Sequence, residues 1–192
     1  MEKKLADTPK SRERVVDMVE TALMAALILV GAYVIHIPSP NNGTVHLGDS
    51  LVLLSAVVLG KRNAVLASAI GMTLFDVIGG YYYWAPFTFI IKAIMAYVAA
   101  TIIAKDKFNI KRQTIGFTLA SLWMVIGYFV AGAFVEILLS EGALTLSQGL
   151  IISAAAVMPN VVQGISAIII AIPLVIALRK SSFFNNRNQK IS

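Results

Sequence analysis

The chain has 192 residues, of which 58% are hydrophobic and 14% charged, with a formal net charge of +6 and no cysteine; its mean hydropathy is +0.79. Soluble domains are about half apolar and about a quarter charged, so this composition excludes an ordinary water-solvated domain and makes lipid the solvent for most of the chain. The missing cysteines exclude a disulfide framework, a thiolate metal site and a cysteine nucleophile, and the two histidines argue against a structural zinc site.

A membrane-spanning helix needs about 20 predominantly apolar residues, and six candidate segments follow in order. Residues 1–18 are charged and lead into an apolar run with no small-residue cleavage site. They are read as a retained cytoplasmic segment and not as a removed signal peptide. The first span covers residues 19–36. The loop IPSPNNGTVHLGD follows, rich in Pro, Asn and Gly, as expected of an ordered lid built from turns. A short second span, 50–59, is separated by Gly60, Lys61, Arg62 and Asn63 from a third, 64–78, and the pair reads as a tight helical hairpin. After a second ordered loop, GGYYYWAP, come a fourth span, 87–104, the basic stretch KDKFNIKR and a fifth span, 115–138. Beyond SEGALTLSQ, residues 149–158 suit a short outer helix, with Pro159 in the first turn of a sixth span that reaches Leu178. One continuous helix kinked at Pro159 is the alternative. The tail, 180–192, reads as a poorly ordered cytoplasmic end.

All-round apolarity over segments longer than ten residues favours helices, and the alternating ten-residue segments of a membrane barrel are absent. The expected fold is therefore all-α, one domain of six transmembrane helices over residues 19–179. Its orientation follows from the basic residues, which are retained on the cytoplasmic side. Lys3, Lys4, Lys10, Arg12 and Arg14 precede the first span, and Lys61 and Arg62 follow the second. Lys105, Lys107, Lys111 and Arg112 follow the fourth, and Arg179, Lys180, Arg187 and Lys190 close the chain. Fifteen of the sixteen thus fall on one side, which makes both termini cytoplasmic. Clusters between apolar runs, in place of one basic face, also argue against a nucleic-acid partner.

The sixteenth is Lys92, six residues or roughly 9 Å inside the outer end of span four. An intramembrane lysine needs a partner, since an isolated charge at mid-bilayer costs about 2.5 to 3.5 kcal/mol. Asp76, at a similar depth near the end of span three, is expected to supply it. That pair could fix the hairpin alone or leave one member facing a polar ligand. His46 and Asp49 enter span two at the same level, Asp49 being placed to cap the helix N-terminus. Tyr81, Tyr82, Tyr83 and Trp84 fill the second outer loop, where an interfacial aromatic belt would also put them. Glu136 tops span five, and Asn160 and Gln163 lie near the top of span six. Polar groups from five segments converge on one depth. Aromatic faces with a few hydrogen-bonding groups suit a small flat heteroaromatic molecule. On span one, Ala22, Ala25 and Ala26 form a small-residue face that permits close helix approach, within the bundle or to a partner.

No phosphate-binding loop exists, because Gly60-Lys61 is followed by Arg62 and lacks an upstream glycine; H-E-x-x-H and G-x-S-x-G are also absent. The run HLGDSLVLLSAVVLGKRNAVLASAIGMTLFDVIGGYYYWAPFTFIIKAI, residues 46–94, with MPNVVQ, residues 158–163, resembles the substrate-binding S components of energy-coupling-factor (ECF) vitamin importers. It is most similar to the branch for riboflavin, hydroxymethylpyrimidine and pyridoxine. The resemblance implies a multi-pass protein of the bacterial plasma membrane that is not an enzyme and binds no cofactor itself. It implies capture of a small B-vitamin or precursor from outside, with hydroxymethylpyrimidine or pyridoxine ahead of riboflavin, under closing outer loops. The partners implied are a transmembrane coupling subunit, met through the Ala22/Ala26 face, and two ATPase subunits that hydrolyse ATP for this ABC importer while the S component topples in the bilayer. The rival classes are an intramembrane enzyme using Asp76, Lys92 or Glu136 as acid or base, and a membrane subunit without a ligand.

Overall fold

A computed structural model describes residues 9–39, 43–103 and 109–180. Helix α1 (Pro9–Val34) leads into a two-stranded antiparallel hairpin, β1 (His36–Ser39) and β2 (Gly43–His46), in which His36 faces His46 and Ile37 faces Val45. Then follow α2 (Gly48–Val58), α3 (Lys61–Gly79), α4 (Ala85–Ile102), α5 (Ile110–Leu139), α6 (Leu146–Ser153), a 3-10 turn (Ala154–Ala156) and α7 (Val157–Lys180).

Among the described residues, four stretches are long and apolar enough to cross a membrane: α1, α4, α5 and the run from α6 through α7. Their outward faces bear Leu23, Leu27, Leu119, Ile126, Ile165 and Ile169, all exposed. In water these stripes would be an aggregation hazard, whereas in a bilayer they are the solvated side. The inward stripe of α1, Ala25, Ile28 and Ala32, has helical spacing and is buried. The all-α membrane fold expected from composition is the fold observed, with the small hairpin as its one addition among the described residues.

Helix α2 sits at the centre, packed against α1, α3, α4 and α7. Val52, Leu53, Leu54, Ser55 and Ala56 are consecutive and all buried, which a peripheral helix would not allow. Its 11 residues make it about 17 Å long. Gly60, at φ 74°, turns the chain from α2 into α3, a conformation that disfavours any side chain. Small residues bring neighbouring helices together: a Cβ on Gly71 would lie 2.6 Å from the Ala25 carbonyl oxygen, and one on Gly149 2.7 Å from that of Ala133. These are the α1–α3 and α5–α6 contacts, close in the manner of membrane helices.

Several boundaries differ from the sequence expectation. Helix α1 begins at Pro9, so the charged segment before residue 19 continues the helix for nearly three turns. The lid contains paired strands, and its Asn-Gly step, residues 42–43, is the short-range hairpin signal that could have indicated them. Thr145 accepts from the Gln148 backbone N–H, and the Gln148 side chain accepts from Thr145 N at 2.8 Å. This capping box starts α6 three residues before the expected position. Pro159 lies in the first turn of α7, where its missing N–H costs nothing, but the 3-10 turn Ala154–Ala156 joins α6 and α7 without a break, so the stretch combines features of both alternatives. The tail beyond residue 180 lies outside the described residues.

Candidate functional site

The outer end of α2 carries Asp49, completely buried, and Lys92 from α4 is completely buried beside it, its Nζ donating to Asp49 Oδ1. Gln163 of α7 donates through Nε2 to Asp49 Oδ2 at 2.6 Å and to Met124 Sδ at 3.7 Å. The other end of the same amide, Oε1, accepts the His46 backbone N–H at 3.3 Å. One side chain therefore ties the hairpin, α2, α5 and α7 together, and the carboxylate has a partner on each oxygen. A buried ion pair persists only when its remaining hydrogen-bonding capacity is met in this way.

Around this polar knot lie aromatic rings. Lys92 Nζ stands 4.9 Å from the centroid of Tyr128, whose hydroxyl is 3.2 Å from Thr88 Oγ1. Trp84 approaches Tyr128 with 5.8 Å between centroids. On the other flank Phe75 is a hub, with Tyr33 at 4.9 Å and His46 at 5.1 Å in edge contacts and Tyr81 stacked at 6.1 Å. The turn joining α3 to α4 holds Tyr81 and Trp84 inward through Tyr81 N–H to the Asp76 carbonyl, 2.7 Å, and Trp84 N–H to the Tyr81 carbonyl, 2.9 Å. Gly80, at φ 83°, ends α3 and permits that turn.

Among the described residues, His46 Nδ1, Asp76 Oδ2 and Trp84 Nε1 are buried here with no hydrogen-bond partner, as is Thr73 Oγ1 one helical turn before Asp76. The large majority of buried side-chain polar atoms in folded proteins are partnered, so the open groups of His46, Asp76 and Trp84, next to the aromatic rings, are available to a further partner. His46 lies in the hairpin, outside the spans. Burial pushes its imidazole down to about 4, with nearby Lys92 acting in the same direction and Asp49 opposing. It is therefore a neutral ring at physiological pH.

His46, Asp49, Lys92 and Gln163 are thus brought into one network, and Asp76, Tyr81 and Trp84 lie beside it. Two expectations are corrected. Lys92 pairs with Asp49 and not with Asp76, because the central α2 brings its first turn to the level of Lys92. Similar depth and a short connecting loop were the grounds for choosing Asp76. Asp49 does not cap α2 either, since Leu47 occupies that position without a side-chain cap and the carboxylate is engaged by Lys92 and Gln163. Tyr82 and Tyr83 are 66% and 53% exposed, on the outward side of the turn. Glu136 and Asn160 are half-buried and belong to none of the described contacts of the network. Tyr33, Phe75, Thr88, Met124 and Tyr128 were not anticipated. Thr88 is one helical turn before Lys92 and so shares its face, a spacing that could have revealed it. Ala22, Ala25 and Ala26 line a groove of 820 Å³ between α1 and α3 and belong to none of the described contacts of the network.

Comparison with known proteins adds two findings. The sequence model of a family described as the S component of an ECF-type riboflavin transporter matches residues 12–180. An uncharacterised protein in the gap 3′ region of Pyrococcus woesei is 33% identical over 102 residues, covering 53% of this chain and 68% of that relative.

Proposed function

Since the chain belongs to the family of ECF-type riboflavin transporter S components, and is thus a multi-pass membrane subunit for vitamin uptake that works with an ECF module, we propose that its cargo is riboflavin, held at the aromatic cluster under the β1–β2 hairpin. One observation carries this reading: His46 Nδ1, Asp76 Oδ2 and Trp84 Nε1 are buried without a hydrogen-bond partner, with His46 edge-on to Phe75, Tyr81 stacked on Phe75 and Trp84 against Tyr128. A flat fused ring with alternating donors and acceptors on its edge would satisfy such atoms while stacking on those faces. The Asp49–Lys92–Gln163 knot then serves as the rigid floor, with both Asp49 oxygens and both ends of the Gln163 amide already engaged. The hairpin serves as the cover, held down by Gln163 on His46 N–H and by Leu47 N–H on the Ile35 carbonyl at 3.2 Å.

A second reading keeps the site and changes the cargo. Asp76 is 5% exposed and Oδ2 lacks a donor; the amino or hydroxymethyl group of hydroxymethylpyrimidine or pyridoxine would supply one. In either case ATP is hydrolysed by the partner ATPases, and the coupling subunit docks on the Ala22, Ala25 and Ala26 face of α1.

Purified protein titrated with riboflavin, pyridoxine and hydroxymethylpyrimidine distinguishes these readings. Quenching of flavin fluorescence at stoichiometric ratios, lost in Trp84→Ala and weakened in Asp76→Asn, is the expected result. Tight calorimetric binding of either small ring without flavin binding selects the second reading, and no binding across the panel sinks both.

A further inference from the structure

The groove between α1 and α3 has two unlike ends. At one stand Arg14 of α1 and Arg62 of α3, both exposed, at the end of the bundle that the distribution of basic residues assigns to the cytoplasm. Among the described residues neither guanidinium makes an ion pair or a side-chain hydrogen bond. Asp17 shares this rim, which leaves the lining one net positive charge, two arginines less one aspartate. Beyond the rim the walls are apolar, with Ala22, Ala26 and Leu29 on α1 facing Leu66, Ile70 and Leu74 on α3. From residue 14 to residue 29 the groove runs about 22 Å along the helix at ~1.5 Å per residue. That exceeds half of a hydrocarbon core of about 30 Å. Its 820 Å³ falls within the range of about 300 to 1,000 Å³ typical of sites for single small molecules.

We propose that this groove holds one anionic phospholipid of the inner leaflet, with its phosphate between Arg14 and Arg62 and an acyl chain laid along the alanine and leucine walls. Guanidinium groups suit phosphate because their planar forks offer paired donors, and basic pockets between membrane helices on the cytoplasmic side collect anionic head groups. The smallness of Ala22 and Ala26 leaves the floor deep enough for a chain of methylenes. The lipid and a docking coupling subunit would occupy the same floor, so the lipid has to leave before the subunits join. The assignment of the lipid itself does not depend on which vitamin the outer site takes.

The test uses the full chain in nanodiscs of equal phosphatidylglycerol and phosphatidylcholine, followed by mild detergent release and native mass spectrometry. One retained phosphatidylglycerol per protein is expected, favoured over phosphatidylcholine by about tenfold. R14Q/R62Q should bring that ratio to parity while helix content by circular dichroism stays unchanged. D17N, which raises the net charge of the rim, should increase the ratio, and it provides a reading of opposite sign should the double variant fail to fold. Retention of both lipids in proportion to their abundance, retention of neither, or a ratio unmoved by D17N and by a folded R14Q/R62Q overturns the proposal.

Discussion

Asp49 and Lys92 form a fully buried pair, so the cost of removing one partner is the cost of stranding the other. Leaving a buried charge uncompensated typically destabilises by about 3 to 5 kcal/mol, whereas replacing both with apolar groups is often nearly neutral. Asp49→Leu or Lys92→Met alone should therefore lower the Tm of the detergent-purified protein sharply, and the double variant should recover much of the loss. Equal or additive destabilisation in the double variant would show that the pair is held by something other than mutual compensation. His46 has a folded-state value of about 4 against 6.5 for the free side chain. Its contribution to stability is intact above 6.5 and declines as pH falls towards 4, because the unfolded chain takes up the proton first. A thermal series across that range should show the decline, and His46→Gln should flatten it. That Lys92 would need a carboxylate was legible in the sequence, because a lysine inside an apolar span cannot stand alone. Which carboxylate it meets was not, since the choice depends on α2 occupying the middle of the bundle.

At the scale of helices and strands, the contacts most sensitive to side-chain volume lie where a glycine faces a backbone that cannot yield. A Cβ at Gly71 would press on the Ala25 carbonyl oxygen, whereas at Gly31 it would meet the end of the Leu51 side chain, which can rotate away. Gly71→Ala should separate α1 from α3 and destabilise by about 1 to 3 kcal/mol, the usual cost of overpacking. Gly31→Ala should be close to silent in the same melting assay. Gln163→Leu removes the acceptor for His46 N–H, so hydrogen exchange at residues 44–46 should accelerate while the helices remain protected. Helix α5 starts at Ile110, five residues before the expected 115, because Asn109 caps it within the basic stretch, but the existence of the spans was readable from apolar length, as in α4, α5 and α7. The hairpin was not, because four-residue strands are too short for an alternating pattern to stand out, and the extension of α1 was hidden by charged residues that propensity readily accommodates in a helix.

For the molecule as a whole, orientation is the first property to check. The chain contains no cysteine, so single thiols can be introduced against a silent background. Glu141→Cys, in the exposed turn between α5 and α6, should react with an impermeant maleimide from outside intact cells, and Lys111→Cys should react only after permeabilisation. Reversed labelling would invert every statement about outer and inner faces. The level of the candidate site was legible because polar residues from separate spans shared a depth; its internal pairing emerged only from tertiary packing.

The brevity of α2 matters for the energetics of passage. A helix of about 17 Å that starts at the cytoplasmic turn of Gly60 ends well short of a hydrocarbon core of about 30 Å, and Asp49 marks that end. A cargo held at the proposed site above it would still be on the exterior route, yet with part of the insulating layer already behind it before any nucleotide is spent. The motor would then have only the remainder to move it across. Any electric field across the membrane is also concentrated over that thinner remaining slab, so a charged cargo would feel the voltage there more steeply than in the surrounding lipid.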